Sequence, residues 1–272
     1  MFTSIAEWFE TAERNGTSAP ETVLRREAKE TGADEAEIRR RVAEALDVMR
    51  AAVQEGLAID EPSPSGLTGG RARQLASKGP ELMGPTFNAV LSRAIATLEV
   101  NARMGLIMAT PTAGAAGVVP AVLFTLQERR GWTDDQLVDA MLVAGGVGAV
   151  IAERASIAGA GGGCQAETGS AAAMAAAAVT WLEGGSREQV AHAIGLTLQG
   201  MLGLICDPVA GPVEMGEVGR KMDVRYRETA LGGLAATPAG QEIAAAAGME
   251  RLVQLQRKGR TAGESSARIG PS

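Results

Sequence analysis

Aromatic residues make up only 3% of the 272 positions, there is a single histidine, and cysteine occurs twice, at Cys164 and Cys206. The scarcity of rings, set against 35 glycines and 46% hydrophobic residues, means the core has to be built from Ala, Val, Leu, Ile and Met, with helices or loops in close approach. One histidine and two cysteines 42 positions apart, with no CxxC pair, do not supply a Cys/His zinc set. No GxxxxGK[ST] or GxGxxG fingerprint stands between a strand and a helix, which removes the common nucleotide cradles. Basic excess is also missing: the formal charge is -6 and the pI about 5.1, the wrong sign for a phosphate backbone, so no nucleic-acid partner is expected. The arginines at Arg25-Arg26 and Arg39-Arg40-Arg41 are interleaved with acids at helical spacing and read as solvated faces.

The first ten residues carry no basic n-region ahead of an apolar stretch, so no secretory signal is visible and a cytoplasmic protein is expected. The most apolar runs, Ala140 to Ala152 and Ala171 to Leu182, are shorter than the roughly 18 residues of a membrane span and read as core helices. A reducing cytoplasm disfavours a Cys164–Cys206 disulfide, leaving metal binding, catalysis or burial as inert thiols.

No alternating run of β-branched residues is long enough for a strand, and the pattern predicts an all-α fold of small-residue, glycine-rich helices. Ser4 and Glu7 form a capping-box pattern for a first helix, with Asn15-Gly16 as its stop signal. A second helix begins near Pro20. A third starts near Asp34, carries Ile38, Val42, Met49 and Val53 on one face and is expected to end at Gly56. Further helices are expected at 71–77, 85–104, 117–130, 133–157, 167–182, 186–204 and 238–255. This divides the chain into an N-terminal helical subassembly at 1–60, a main helical domain at 61–257 and a polar tail at 258–272. The breaker-rich stretch between Glu61 and Gly70 is either a linker or a working loop.

Three segments have the composition of a site. Thr110-Pro111-Thr112-Ala113-Gly114-Ala115-Ala116-Gly117 is a hydroxyl and glycine loop running into an apolar helix. Backbone N–H groups at such a start suit a carboxylate or phosphate, although a tight turn between packed helices uses the same residues. Gly161-Gly162-Gly163 before Cys164 places a thiol near a positive helix end, where a thiolate is stabilised; Gln165, Glu167 and Thr168 follow as first-turn polar groups suited to capping. Cys206-Asp207-Pro208 puts the second thiol at a helix end beside a turn. His192, between apolar positions on a helix, reads as a packed or surface residue, with a general base as the other role open to it.

Taken together, TPTAGAAGVVPAVLF (Thr110 to Phe124), GGCQAETGSAAAMAAAA (Gly162 to Ala178), MLGLICDPVAGPVE (Met201 to Glu214) and RETALGGLAATPAGQE (Arg227 to Glu242) resemble the α chain of iron-sulfur-dependent L-serine dehydratase. SGLTGG (Ser65 to Gly70) and EVNARMG (Glu99 to Gly105) match as well, so the resemblance runs in order over nearly the whole chain. It implies a lyase that takes the α-proton and β-hydroxyl from serine, or a related β-substituted amino acid, to leave aminoacrylate, which becomes pyruvate and ammonia without pyridoxal phosphate. It also implies a [4Fe-4S] cluster held by three cysteines, with one iron open to the substrate hydroxyl. Cys164 and Cys206 match two of those ligands. The Thr110 to Gly117 loop matches the substrate-lining segment, where Thr110, Thr112, Gly114 and Gly117 would meet the amino-acid carboxylate.

The chain departs from the family after CDPVAG. The third cysteine and an adjoining helical segment are absent, and Glu214 runs into Met215-Gly216-Glu217, which resembles a later part of the family chain. Glu217 falls near the lost ligand, but a carboxylate is harder than a thiolate. The family's β portion lies outside these residues, so a separate β chain is expected to complete the site in a hetero-oligomer. A cluster-free homologue acting as a binding or scaffold subunit, or a lyase with an altered metal centre using Glu214, Glu217 or a partner residue, are the other readings the departure allows.

Overall fold

The computed structural model describes residues 2–64, 66, 68–79 and 84–202. The second cysteine, Glu214, Glu217, the helix expected at 238–255 and the polar tail therefore lie outside the described residues. Those described form helices α1 (Ile5–Asn15), α2 (Ala19–Thr31), α3 (Glu35–Ala58), α4 (Arg71–Lys78), α5 (Gly84–Ala102), α6 (Val118–Arg130), α7 (Asp134–Arg154), α8 (Gly159–Gly162), α9 (Cys164–Leu182) and α10 (Arg187–Met201), with a 3-10 turn at Ala113–Ala115 and no strand among them. The fold is all-α, as the sequence pattern requires.

Local chemistry sets most of the boundaries. Ser18 and Glu21 form a reciprocal capping box at α2, as do Thr133 and Gln136 at α7 and Ser186 and Gln189 at α10. Gly16, Gly32 and Gly131 end α1, α2 and α6 in the left-handed conformation. At α1 only half of the expected box forms. The Ser4 hydroxyl accepts the Glu7 N–H at 3.0 Å, but the Glu7 carboxylate accepts from the Thr3 N–H and hydroxyl, one residue before the cap, instead of from the Ser4 N–H.

Two boundaries differ from the sequence reading for tertiary reasons. Gly56 does not end α3; it is buried two residues before the end of the helix, where a Cβ would stand 2.1 Å from the Ala96 carbonyl oxygen. It is the crossing point of α3 on α5, so its lack of a side chain serves packing rather than a stop. The helix expected from Glu167 begins at Cys164, since the glycines before it are taken up by α8 and by Gly163 at φ +75°.

The main core of the described residues is the seam between α7 and α9, with α2 packed on α7 and with α6 and α10 packed on α9. Val143, Val147 and Ile151 face Ala173, Met174, Ala177 and Ala178, and fully buried Trp8 of α1 joins the same cluster. Gly146 and Gly148 let Trp8 and Met174 reach the α7 backbone: a Cβ there would lie 2.9 Å from the Trp8 ring and 3.1 Å from the Met174 sulfur. The Trp8 indole N–H donates to the Ala19 carbonyl at 3.1 Å, so the largest core side chain has its polar atom satisfied. A second cluster joins Leu46, Met49 and Val53 of α3 to Phe124 of α6 and Leu137 and Val138 of α7. By length and composition α7, 21 residues long with an 18-residue window of mean hydropathy 1.5, could cross a membrane, which the shorter apolar run within it did not suggest. It lies instead at the middle of the helical core, packed on α2, α3 and α9.

Candidate functional site

Polar groups in the interior of this fold are, with few exceptions, hydrogen-bonded. Buried Thr125 accepts from Arg93 at 2.8 Å, Ser170 donates to the Ala166 carbonyl, and Thr97 to the Arg93 carbonyl. Among the described residues three buried side-chain oxygens have no partner: Thr68 Oγ1, Glu99 Oε2 and Thr112 Oγ1. Leaving such an atom unmatched costs about 1–3 kcal/mol, so each is a place where a ligand has something to gain.

Two of the three belong to one latch. The glycines after Thr68 let the chain fold tightly on itself: Gly69 has φ +127°, and a Cβ on it would stand 2.2 Å from the Glu61 carbonyl oxygen. The Arg71 N–H then donates to Glu99 Oε1 at 2.8 Å, fastening the start of α4 to the last turns of α5 and leaving the other carboxylate oxygen of this buried residue unused. Arg103 closes the loop from the other side, donating to the Pro62 carbonyl at 2.8 Å and pairing with the Glu61 carboxylate at 3.1 Å. The stretch from Glu61 to Gly70 is thus pinned at both ends.

Thr112 belongs to the hydroxyl and glycine loop. Thr110 is buried, its hydroxyl donating to the Met108 carbonyl at 3.2 Å and its N–H to the Thr112 carbonyl at 3.3 Å. Thr112 stands in extended conformation before the 3-10 turn and makes no side-chain cap bond. Gly114 is exposed at the turn, whereas Gly117 is buried against α5, where a Cβ would come within 2.3 Å of the Ala94 carbonyl oxygen. Gly117 therefore holds the loop down on the helix rather than offering its amide to solvent.

The loop meets the start of α9. Cys164 is buried as the first residue of that helix, after a glycine with no capping side chain, so the thiol stands where the helix dipole favours a thiolate. Three residues on, the Glu167 carboxylate lies between the 3-10 turn and the start of α8: a Cβ on Gly114 would be 3.0 Å from its Oε2, and one on Gly159 2.6 Å from the same atom. Glu167 thus joins the Thr112–Gly114 turn to the glycines that precede Cys164. His192 is exposed on α10, a surface histidine. Among the described residues no three acidic, cysteine or histidine side chains gather as a metal set.

The family model described as "Serine dehydratase alpha chain" matches residues 14–216. The chain belongs to the serine dehydratase alpha chain family. It is 40% identical to the probable L-serine dehydratase, alpha chain, of Bacillus subtilis (strain 168), covering 89% of this chain and 94% of that protein. It is 34% identical to the L-serine dehydratase, alpha chain, of Peptoniphilus asaccharolyticus, over 89% and 97% of the two chains. The L-serine dehydratase of Streptomyces coelicolor is 37% identical over 74% of this chain, which spans only 54% of that protein. The Bacillus alignment has 283 positions, yet 89% of 272 residues is about 242, so about 41 positions of that family member have no counterpart here.

The loop and Cys164 stand out in the sequence, whereas Thr68 and Glu99 lie in family-like segments that carry no assigned role there, and Glu167 reads as a helix cap. Only the fold reveals that Glu99 is buried with one oxygen unused and that Glu167 turns toward Gly114.

Proposed function

We propose that this chain is the α subunit of a two-chain lyase that converts L-serine to pyruvate and ammonia in the cytoplasm, with a β chain completing the site. What supports it most is the meeting of the unpartnered Thr112 hydroxyl loop with the first turn of α9 behind Cys164. In this reading Thr110, Thr112, Gly114 and Gly117 form the segment that receives the amino-acid carboxylate: Thr112 donates to it, Gly114 leaves room for it, and Thr110 and Gly117 hold the turn in place. The Streptomyces relative, nearly twice the span matched here, is consistent with a second portion that another polypeptide supplies to this one.

The family's cluster does not fit the ligand set of this chain taken alone, since two cysteines cannot make a three-thiolate site. We assign Cys164 and Cys206 to metal binding and look for a third ligand in Glu217 or in the partner. The deletion is assigned to the stretch after Glu214; the end of the family match at residue 216 and the missing alignment positions favour that place. A chain that had become a cluster-free binding subunit would keep the same loops, and the ligand shortfall is the observation in favour of that second reading.

Both readings are tested by co-expressing the chain with a β chain, purifying without oxygen, and measuring pyruvate release from L-serine together with iron and sulfide. Iron, sulfide and turnover in the parent, all lost in Cys164→Ala with helicity retained, is the expected result. A Cys164→Ala complex that binds as much iron as the parent removes Cys164 from the ligand set. An iron-free parent that releases no pyruvate favours the binding subunit.

A further inference from the structure

We infer that Glu167 is the residue that recognises the α-ammonium group of the amino-acid substrate, an inference that rests on the function proposed above. Glu167 is the one acidic residue in the first turn of α9 and stands one position beyond the place from which a carboxylate caps its own helix. Among the described residues no hydrogen bond or ion pair holds its carboxylate, and a Cβ on Gly114 or on Gly159 would stand 3.0 or 2.6 Å from its Oε2. The 3-10 turn and the start of α8 thus carry glycine where any side chain would crowd one carboxylate oxygen.

The chemistry of the surroundings selects the ligand. Two residues before Gly114, the buried Thr112 hydroxyl lacks a partner, and it can donate to an anion. The Glu167 carboxylate accepts only, and it repels a second anion. The segment that carries the unpartnered Thr112 hydroxyl is thus the one against which the Glu167 carboxylate lies, which brings a donor for a carboxylate and a negative acceptor into one neighbourhood, the pair of complements that a zwitterionic α-amino acid carries on a single carbon. A hydroxy acid or inorganic phosphate would satisfy Thr112 and leave Glu167 facing like charge. A charge-assisted bond to ammonium is stronger than a neutral one and gives discrimination between amino and non-amino ligands.

The test compares L-serine with 3-hydroxypropionate, which lacks only the amino group, by titration calorimetry on the anaerobically purified complex of parent, Glu167→Gln and Glu167→Asp chains. Glu167→Gln is expected to weaken L-serine binding by about 10- to 100-fold while 3-hydroxypropionate binds equally well or more tightly. Glu167→Asp should recover part of the loss, and iron content and helicity should stay at parental values. Equal weakening of both ligands would mark Glu167 as structural and overturn the inference. Unchanged serine affinity with collapsed turnover would overturn it in favour of proton transfer. A parent complex that neither binds L-serine nor releases pyruvate from it overturns the proposed function and this inference with it, whereas an active parent with an unselective Glu167→Gln variant overturns the inference alone.

Discussion

The α7–α9 seam and the loops around α5 are built from similar residues, yet they treat their polar groups in opposite ways. Along the seam, alanines, valines and glycines interlock, and the polar atoms among them, such as the Trp8 indole N–H and the Ser170 hydroxyl, are bonded to backbone carbonyls. Around α5 the three unmatched oxygens, Thr68 Oγ1, Glu99 Oε2 and Thr112 Oγ1, all fall in segments that carry the family resemblance. The seam stores stability; the loops hold polar capacity in reserve. Glycine serves both regions, as a packing notch at Gly146 and Gly148 and as a means of tight folding at Gly69.

The contrast can be broken most severely at the seam. Trp8→Ala removes a fully buried ring and its bond to Ala19, and should cost about 3–5 kcal/mol in denaturant unfolding. Away from the seam, where α3 crosses α5, Gly56→Ala should cost about 1–3 kcal/mol or more, because α3 must retreat from the α5 backbone, and thermal unfolding will report it. The contrast is sharpened by a threonine pair. Thr125→Val strips a bond from the Arg93 guanidinium and should lower stability by about 1–3 kcal/mol. Thr112→Val removes an unmatched hydroxyl and should leave stability unchanged or raised while weakening L-serine binding roughly tenfold. A Thr112→Val variant as destabilised as Thr125→Val would mean that the hydroxyl is satisfied in the protein alone.

The smallest effect belongs to the surface. Glu188 has its carboxyl lowered to about 2, chiefly by the hydrogen bond from Arg187, with backbone and Ser186 hydrogen bonds adding to it. A depressed carboxyl contributes stability that is complete above its unfolded value of 4.5 and fades as pH falls through about 2. Glu188→Gln should therefore remove this small contribution at neutral pH, flatten the dependence of stability on pH between those values and leave stability unaltered below about pH 2. Because the group is exposed, the change in melting temperature should be near the limit of detection.

Much of the helical plan was legible from local signals. Capping residues at Ser18, Thr133 and Ser186 and left-handed glycines at Gly16 and Gly32 act within one turn of chain, so their effect can be read without knowing what packs where. Gly56 misled for the converse reason: a stop and a notch need the same missing Cβ, and only the position of α5 distinguishes them. At the site, Thr112, Gly114 and Cys164 stood out because hydroxyls, glycines and a rare cysteine are conspicuous in an alanine-rich chain. Glu99 was hidden because its partner is a backbone N–H 28 residues away, and a backbone amide leaves no mark in a sequence.

By itself the sequence determined the all-α class, most helix ends, the anionic surface and the family to which the chain belongs, since each depends on residue type and spacing along the chain. The tertiary structure alone decided that Gly56 is a packing notch rather than a stop, that Gly117 is an anchor rather than an open amide, and that the Glu167 carboxylate lies against Gly114. Burial, close approach and the presence or absence of a hydrogen-bond partner are relations between segments distant in sequence, and they take their values only when the helices have packed.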